Sequence, residues 1–433
     1  MHSLWSKIQD KNEFKSLNSN INTDILIIGG GICGVLCAYF LQKLGVKYVL
    51  VEAKKVGNGI TKNTTAKITL QHGLIYDNLI KNFSLDIAYR YLKANQLALE
   101  KYKELCKSID CDFEEKPAFT YSLENRLKVE NEIKALEKLG CESTFESEIP
   151  LPFKISGAVK LSNQAQFHPL KFIHEISKDL NIYENTFINK IKNHTAFSEH
   201  GSITAKKIIV ATHFPFINSH GFYFTKMYQH RSYAIAIKGA PQIDGMYVDE
   251  KQNGMSFRNY KDLMLAGGGD HRTGKQGGNY KELQEFIAKN YPESKEKYLW
   301  ATQDCITLDN IPYIGNYSKF APNLYVATGF NKWGMTSSMV AATILTDIIL
   351  EIKNDFSDVF SPDRPALKPQ LFINLGETLI NFFTPTVKRC SHLGCALKWN
   401  KAEHTWDCPC HGSRFEKDGD LIDNPAMKRA NVE

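Results

Sequence analysis

The sequence predicts an α/β chain with an interleaved, largely antiparallel α+β domain in its middle and a small all-β module at its end. Three observations carry that prediction. A glycine-rich turn joins an apolar strand to an apolar helix near the N-terminus. Strand-like stretches at Tyr233–Ile237, Gly254–Arg258 and Leu263–Ala266 follow a long helical tract, and two loops of paired cysteine and histidine stand near the C-terminus.

The 433 residues are 43% hydrophobic and 23% charged, with a net charge of +6. Those are the proportions of an ordinary globular chain, with room for about three domains. No block of like charge stands out, which argues against a nucleic-acid partner. The opening MHSLWSKIQDKNEF lacks the apolar core of a secretion signal. The run Ile25–Leu41 is apolar, but four glycines interrupt it, so it is expected to be a buried strand–turn–helix and no membrane span. Cys33, Cys37, Cys106, Cys111, Cys141 and Cys305 show no disulfide framework and suit buried positions of a cytoplasmic protein.

Asp24-Ile-Leu-Ile-Ile28 reads as a strand buried on both faces. It feeds Gly29-Gly30-Gly31-Ile32-Cys33-Gly34, a G-x-G-x-x-G turn, then an apolar helix through Leu44, with Gly45 as its C′ residue. A second strand, Tyr48–Val51, ends in Glu52. This is the Rossmann-type arrangement. Gly29 permits the tight turn, Gly31 admits a pyrophosphate at the helix N-terminus, and Gly34 lets helix and strand approach. Glu52 can accept hydrogen bonds from ribose hydroxyls and disfavours a 2′-phosphate.

Further along come Lys62-Asn-Thr64-Thr65-Ala66-Lys67, the strand end Ile208-Ile-Val-Ala211-Thr212-His213, and Leu324-Tyr-Val-Ala-Thr328-Gly329-Phe-Asn331-Lys332-Trp333-Gly334-Met335-Thr336 ahead of a helix from Ser337 to Leu350. With these in order, residues 4 to 350 resemble the FAD-dependent oxidoreductases of the D-amino-acid-oxidase (glycine-oxidase-like) superfamily. The resemblance implies FAD. Gly31, Ile32, Glu52, Ala53, Thr64, Thr65 and Ala66 would line its adenosine and pyrophosphate. Ile188 would wall the adenine, and Ala211 and Thr212 would border the site. Gly329, Asn331, Gly334, Met335 and Thr336 would hold the ribityl chain and ring. It also implies that the central sheet forms a substrate domain over the flavin. The corresponding boundaries are 1–90, 151–225 and 300–352 for the FAD-binding domain, and 91–150 and 226–299 for the substrate domain.

Residues 80–150 read as helical, with Val129, Ile133 and Leu136 on one face and Ser122 as a cap. Gln166-Phe167-His168-Pro169 opens another helix. Candidate substrate contacts are Lys67, Arg258, His271, Lys332 and Trp333, together with His72. For the histidines a satisfied structural role is the commoner one. Lys67 adjoins the loop that the resemblance assigns to the flavin, and His72 is the nearest histidine to it.

Ser361-Pro-Asp-Arg-Pro365-Ala-Leu-Lys-Pro369 reads as an extended linker over 353–371. A short helical pattern, Phe372–Phe383, opens the last module, 372–433. There Cys390-Ser-His392-Leu-Gly-Cys395 and Cys408-Pro-Cys410-His411-Gly-Ser413 supply two thiolates and two imidazoles. Such a set suits a [2Fe–2S] cluster with Cys390 and Cys408 on one iron and His392 and His411 on the other. It also suits tetrahedral zinc, although zinc fingers usually pair cysteine with cysteine and histidine with histidine. Both loops resemble the Rieske iron–sulfur family. That resemblance makes Cys395 and Cys410 candidates for a disulfide between the loops, unusual in the cytosol. Two departures stand out. Few residues precede the first loop, so the cluster is expected to lean on the flavin body for cover. Phe415 stands where the family's higher-potential members carry tyrosine, which implies an intermediate potential.

Together these features imply an enzyme that oxidises a small amine or amino acid and passes electrons between flavin and cluster to an external carrier. The alternatives are an O2-using oxidase with a structural or regulatory cluster, and a non-catalytic electron shuttle or redox sensor.

Overall fold

The run Asp24–Ile28 is apolar because its strand, Ile21–Ile28, is paired on both edges. In the computed structural model, which describes residues 3–7, 12–365 and 368–432, it lies parallel to Ser202–Val210 on one side and to Tyr48–Val51 on the other. Leu324–Thr328 and Ile182–Tyr183 extend this parallel sheet, and Tyr313–Asn316 joins its edge antiparallel. The helix Ile32–Lys43 starts at Gly31 and ends as expected: Gly45 has φ +70°, and the Gly45 and Val46 amides close back on Gln42 and Leu41. It packs against the helix Gly334–Ile349, so Val35, Leu36, Leu41, Met339 and Leu345 share one core.

The second sheet is antiparallel except for one pair. It runs Lys295–Thr307, Met227–Lys238, Leu263–Arg272, Ser256–Tyr260, Met246–Asp249, Glu114–Ser122, Gly157–Gln166, Lys67–Ile68. Two of its strands, Lys67–Ile68 and Gly157–Gln166, fall inside the ranges that the sequence assigns to the nucleotide-binding part, and Lys295–Thr307 straddles the boundary at residue 300. The tract 80–150 is not all helix either. Helices Leu85–Cys106 and Arg126–Lys138 flank the strand Glu114–Ser122, whose β-branched and aromatic residues pair with Gly157–Gln166. Asn125, not Ser122, caps the second helix, accepting from the Lys128 amide at 3.0 Å. Val129 and Leu136 are buried as expected.

The proline-rich linker is pinned and turned, not extended. The buried Arg364 guanidinium pairs with Asp309 at 2.7 and 2.8 Å and donates to the carbonyls of Pro312 and Ser361. Ala366 and Leu367, within that linker, lie outside the described residues. The helix Pro369–Phe383 follows, then a four-stranded antiparallel sheet of Lys398–Asn400, Thr405–Asp407, Arg414–Phe415 and Leu421–Asp423. This short module leans on the body. Gln229 donates to the His411 carbonyl, Gln303 to that of Gly412, and Arg272 to those of Pro409 and Cys410. Asn424 reaches back to the carbonyls of Thr212 and Phe214. A cation–carboxylate network, Arg231 to Glu403 to Arg414, locks the same boundary.

Candidate active site and cluster loops

The nucleotide turn is shaped by backbone approach. Gly29 has φ +113°, and a Cβ there would stand 2.5 Å from the Ala211 carbonyl oxygen. One at Gly34 would stand 1.9 Å from that of Gly29. Gly31 is different: a Cβ there meets only the Thr61 hydroxyl at 3.4 Å. Protein packing therefore leaves that space at a helix N-terminus to a ligand, as a pyrophosphate requires. Glu52 accepts from the amides of Gly30 at 2.7 Å and Lys54 at 2.8 Å, and its burial raises the carboxyl above its usual range.

From this turn a cavity of about 1660 Å³ runs between the two sheets, larger than a single drug-sized ligand needs. Gly29, Gly31, Ile32, Glu52, Ala53, Thr64, Thr65, Ile188, Ala211, Thr212, Asn331, Gly334 and Met335 line it. The glycine cradle, the acid at the second strand and this volume fit FAD. Four expected residues stand behind the wall. Gly34 serves helix–strand packing. Gly329 has φ +71°, and a Cβ would meet Thr307 Cγ2 at 2.3 Å. Thr336 exchanges hydrogen bonds with the Thr69 backbone. Ala66 is fully buried at φ +54°, an unusual conformation for alanine that the Thr64 hydroxyl secures by accepting its amide at 2.9 Å.

Of the candidate substrate contacts, Lys67, Lys332 and Trp333 line the cavity, as does His72. Lys67 Nζ donates to Thr65 at 3.0 Å and reaches Ser256 at 3.4 Å. Burial, with help from Arg258, pulls its ammonium down to about 7. Lys332 pairs with Asp270 and donates to the Gln252 carbonyl. The His72 ring stacks on Trp333 at 5.1 Å and meets Tyr91 and the Thr69 carbonyl with its two nitrogens. Burial holds it down to about 3, a neutral structural ring with no nitrogen to spare. Arg258 and His271 do not line the cavity. Arg258 lies beneath the loop that carries Thr64 and Thr65, donating to the Ala66 carbonyl at 3.0 Å. His271 stands behind the wall, stacked on the lining residue Tyr233.

Three groups that no motif marks complete the site. Trp5 and Trp300 donate to the carbonyls of Thr64 and Asn63, so two indoles and Arg258 hold the flavin-side loop. Asp304 lines the cavity, and burial pushes its carboxyl up to about 6. An isolated tryptophan or aspartate in a strand carries no spacing signal.

In the C-terminal loops the His392 and His411 rings lie 4.9 Å apart, with Phe224 of the body edge-on to both. Neither His411 ring nitrogen has a partner, nor does His392 Nδ1, while His392 Nε2 meets Asn218 Oδ1 at 3.1 Å. Cys390 and Cys408 are buried, free thiols, whereas Cys395 and Cys410 are joined as a disulfide. Burial pulls His392 down to about 4 and holds His411 well below its usual value, leaving both neutral as ligation requires. Buried nitrogens without partners need a ligand. Two thiols and two imidazoles in this grouping fit a [2Fe–2S] cluster held by Cys390, Cys408, His392 and His411. The Ser413 hydroxyl stands at the Cys390 sulfur, and Phe415 is fully buried behind it. Phe415→Tyr is expected to raise the cluster midpoint, since a phenol donates to a ligand sulfur; a redox titration showing no shift would place that ring edge out of reach.

Residues 24–348 match the family model described as FAD dependent oxidoreductase, and residues 383–432 match the Rieske [2Fe-2S] domain. YhfW of Bacillus subtilis, described as a Rieske 2Fe-2S iron-sulfur protein, is 35% identical over 494 aligned positions, covering 98% of this chain and 96% of the relative. Among solved structures, L-proline dehydrogenase from P. horikoshii superposes with a TM-score of 0.67 at 16% identity, over 80% of this chain and 98% of that one. Glycine oxidase from Geobacillus kaustophilus gives 0.65 at 16%, over 79% and 99%. The chain belongs to the FAD-dependent oxidoreductase family and carries a Rieske [2Fe–2S] domain at its C-terminal end.

Proposed function

We propose that the protein oxidises a small amine or amino acid and passes the electrons through its fused cluster to an external carrier. One observation carries this reading. On the strand Lys295–Thr307, Thr302 and Asp304 line the cavity, while Gln303 between them donates to the Gly412 carbonyl of the second cluster loop. Alternate residues of a strand face opposite ways. The cavity and the cluster loop therefore share a wall one strand thick.

Bound FAD supplies hydride acceptance; the chain's residues supply the rest. Asp304, ionised above pH of about 6, offers a carboxylate to an ammonium group. Lys67, neutral above about 7, can take the ammonium proton at Nζ and free the amine lone pair. L-proline dehydrogenase and glycine oxidase share the fold, and amine chemistry is in keeping with that.

Anaerobic mixing with a panel of amines and amino acids, followed optically and by EPR, tests the reading. A productive amine is expected to bleach the flavin and then raise the signal of a reduced [2Fe–2S] cluster. A flavin that bleaches while the cluster stays oxidised would return the reading to an oxidase with a structural cluster.

A further inference from the structure

The helix Pro369–Phe383 is inside out. Asn374 and Asn381 are 2% and 4% exposed. Asn374 meets Arg272 and the Thr225 carbonyl of the body, and Glu377 between them pairs with Lys275. The residues at i, i+3 and i+7 that face the protein are thus polar. Those that face away are apolar: Phe372, Ile380 and Phe383 are 62%, 67% and 73% exposed, with Ile373, Leu379 and Phe382 beside them. A surface helix ordinarily presents the opposite arrangement.

The apolar face continues past the helix. Exposed Val387 and Leu393 belong to the segment that becomes the first cluster loop, and a Cβ on Gly394 would touch the Phe382 ring at 3.6 Å. Between Lys368 and Lys401 the chain carries five basic residues, Lys368, Lys388, Arg389, Lys398 and Lys401, against the single acid Glu377. Lys275 pairs with that acid. Lys428 is exposed beside the same loop, where the Ser391 hydroxyl donates to its carbonyl, while the exposed Arg429 next to it pairs with Asp420 at 2.7 Å. An apolar helical face with a basic surround is complementary to the surface of an anionic bilayer, where apolar side chains enter the headgroup boundary and cations stay at the phosphates. No helix among the described residues is long and apolar enough to cross a membrane, so attachment is to one face.

We propose that Pro369–Phe383, with Val387 and Leu393, is a membrane-surface anchor that seats the cluster end of the protein on anionic lipid. This inference is independent of the substrate reading. The FAD- and cluster-loaded full chain is sedimented with vesicles of pure phosphatidylcholine, and with vesicles containing about 30 mol% phosphatidylglycerol. The parent protein is expected to pellet with the anionic vesicles, to be released by salt, and to remain soluble with neutral ones. The triple variant F372S/I380S/F383S alters only exposed side chains, so its flavin and cluster spectra are expected to stay unchanged while its lipid binding falls about tenfold or more. Parent protein left in solution with anionic vesicles would overturn the proposal, as would equal binding by the variant or by neutral vesicles. A dimer in analytical ultracentrifugation that the variant dissociates, without lipid binding by the parent, would assign the face to a second copy of the chain and also overturn it.

Discussion

Glu403→Gln is expected to loosen the C-terminal module from the body by about 3–5 kcal/mol, the usual cost of leaving a buried cation without its partner. Glu403 takes Arg231 on one side, with Nε at 3.1 Å, and Arg414 at 2.9 Å on the other. The Arg231 side chain is only 2% exposed. Arg414 would keep Asp407 and Asp423, both at 3.1 Å, whereas Arg231 would lose its ion pair. Burial works against the Glu403 carboxylate, yet the two guanidiniums outweigh it and hold its pKa below the usual value. A depressed carboxyl stabilises the folded state above its unfolded pKa of about 4.3, and that contribution fades as pH falls through the folded value. Urea unfolding followed separately by cluster circular dichroism and flavin fluorescence would show the cluster transition moving to lower urea in the variant. An unmoved cluster transition would mean that the network does not hold the module.

The second large effect is expected at Lys67. Lys67→Met should slow flavin reduction by an amine about 10²-fold, the low end of what a positioned proton acceptor provides. It should also abolish the inflection near pH 7 that is expected in the parent profile. In the cofactor-free protein the same substitution should stabilise. Lys67 titrates at about 7 when folded, against a usual 10.5, mainly because burial disfavours its charge. Between those values the unfolded chain holds a proton that the folded chain lacks, so parent stability rises with pH through that window. The penalty is full at pH 7 and below. Removing the amine should therefore add about 2–4 kcal/mol near neutrality and nothing above about pH 10.5. Gain of stability with loss of turnover marks a group kept for chemistry at the fold's expense. Parent-like stability in the variant, together with an unchanged pH profile, would remove Lys67 from the mechanism.

What could be read in the chain beforehand was whatever local spacing encodes. The turn Gly29–Gly34, its cap at Gly45 and the loops around Cys390 and Cys408 each place their chemistry within a few residues, and the fold keeps it there. What could not be read is assembled across sequence distance. Trp5, Trp300 and Arg258 meet at one loop from three places in the chain. Arg258, a strand-end cation by sequence, turns out to brace that loop because its strand passes beneath Ala66. Glu114–Ser122 was hidden by the helical tracts on either side, since a lone strand has no partner until Gly157–Gln166 arrives. The helix Pro369–Phe383 has helical periodicity, but periodicity does not say which of its two faces meets the protein.

Gln229 and Gln303 grip the cluster loop from strands that also wall the cavity. Thermodynamic reciprocity then applies to the two ends. If an amine in the cavity binds more tightly when the cluster is oxidised, its presence must favour the oxidised cluster by the same factor. The midpoint potential would then depend on ligand concentration, and ligand affinity on the redox state of the iron. The strand Lys295–Thr307 is in that sense a two-way balance, with a metabolite on one pan and an electron on the other.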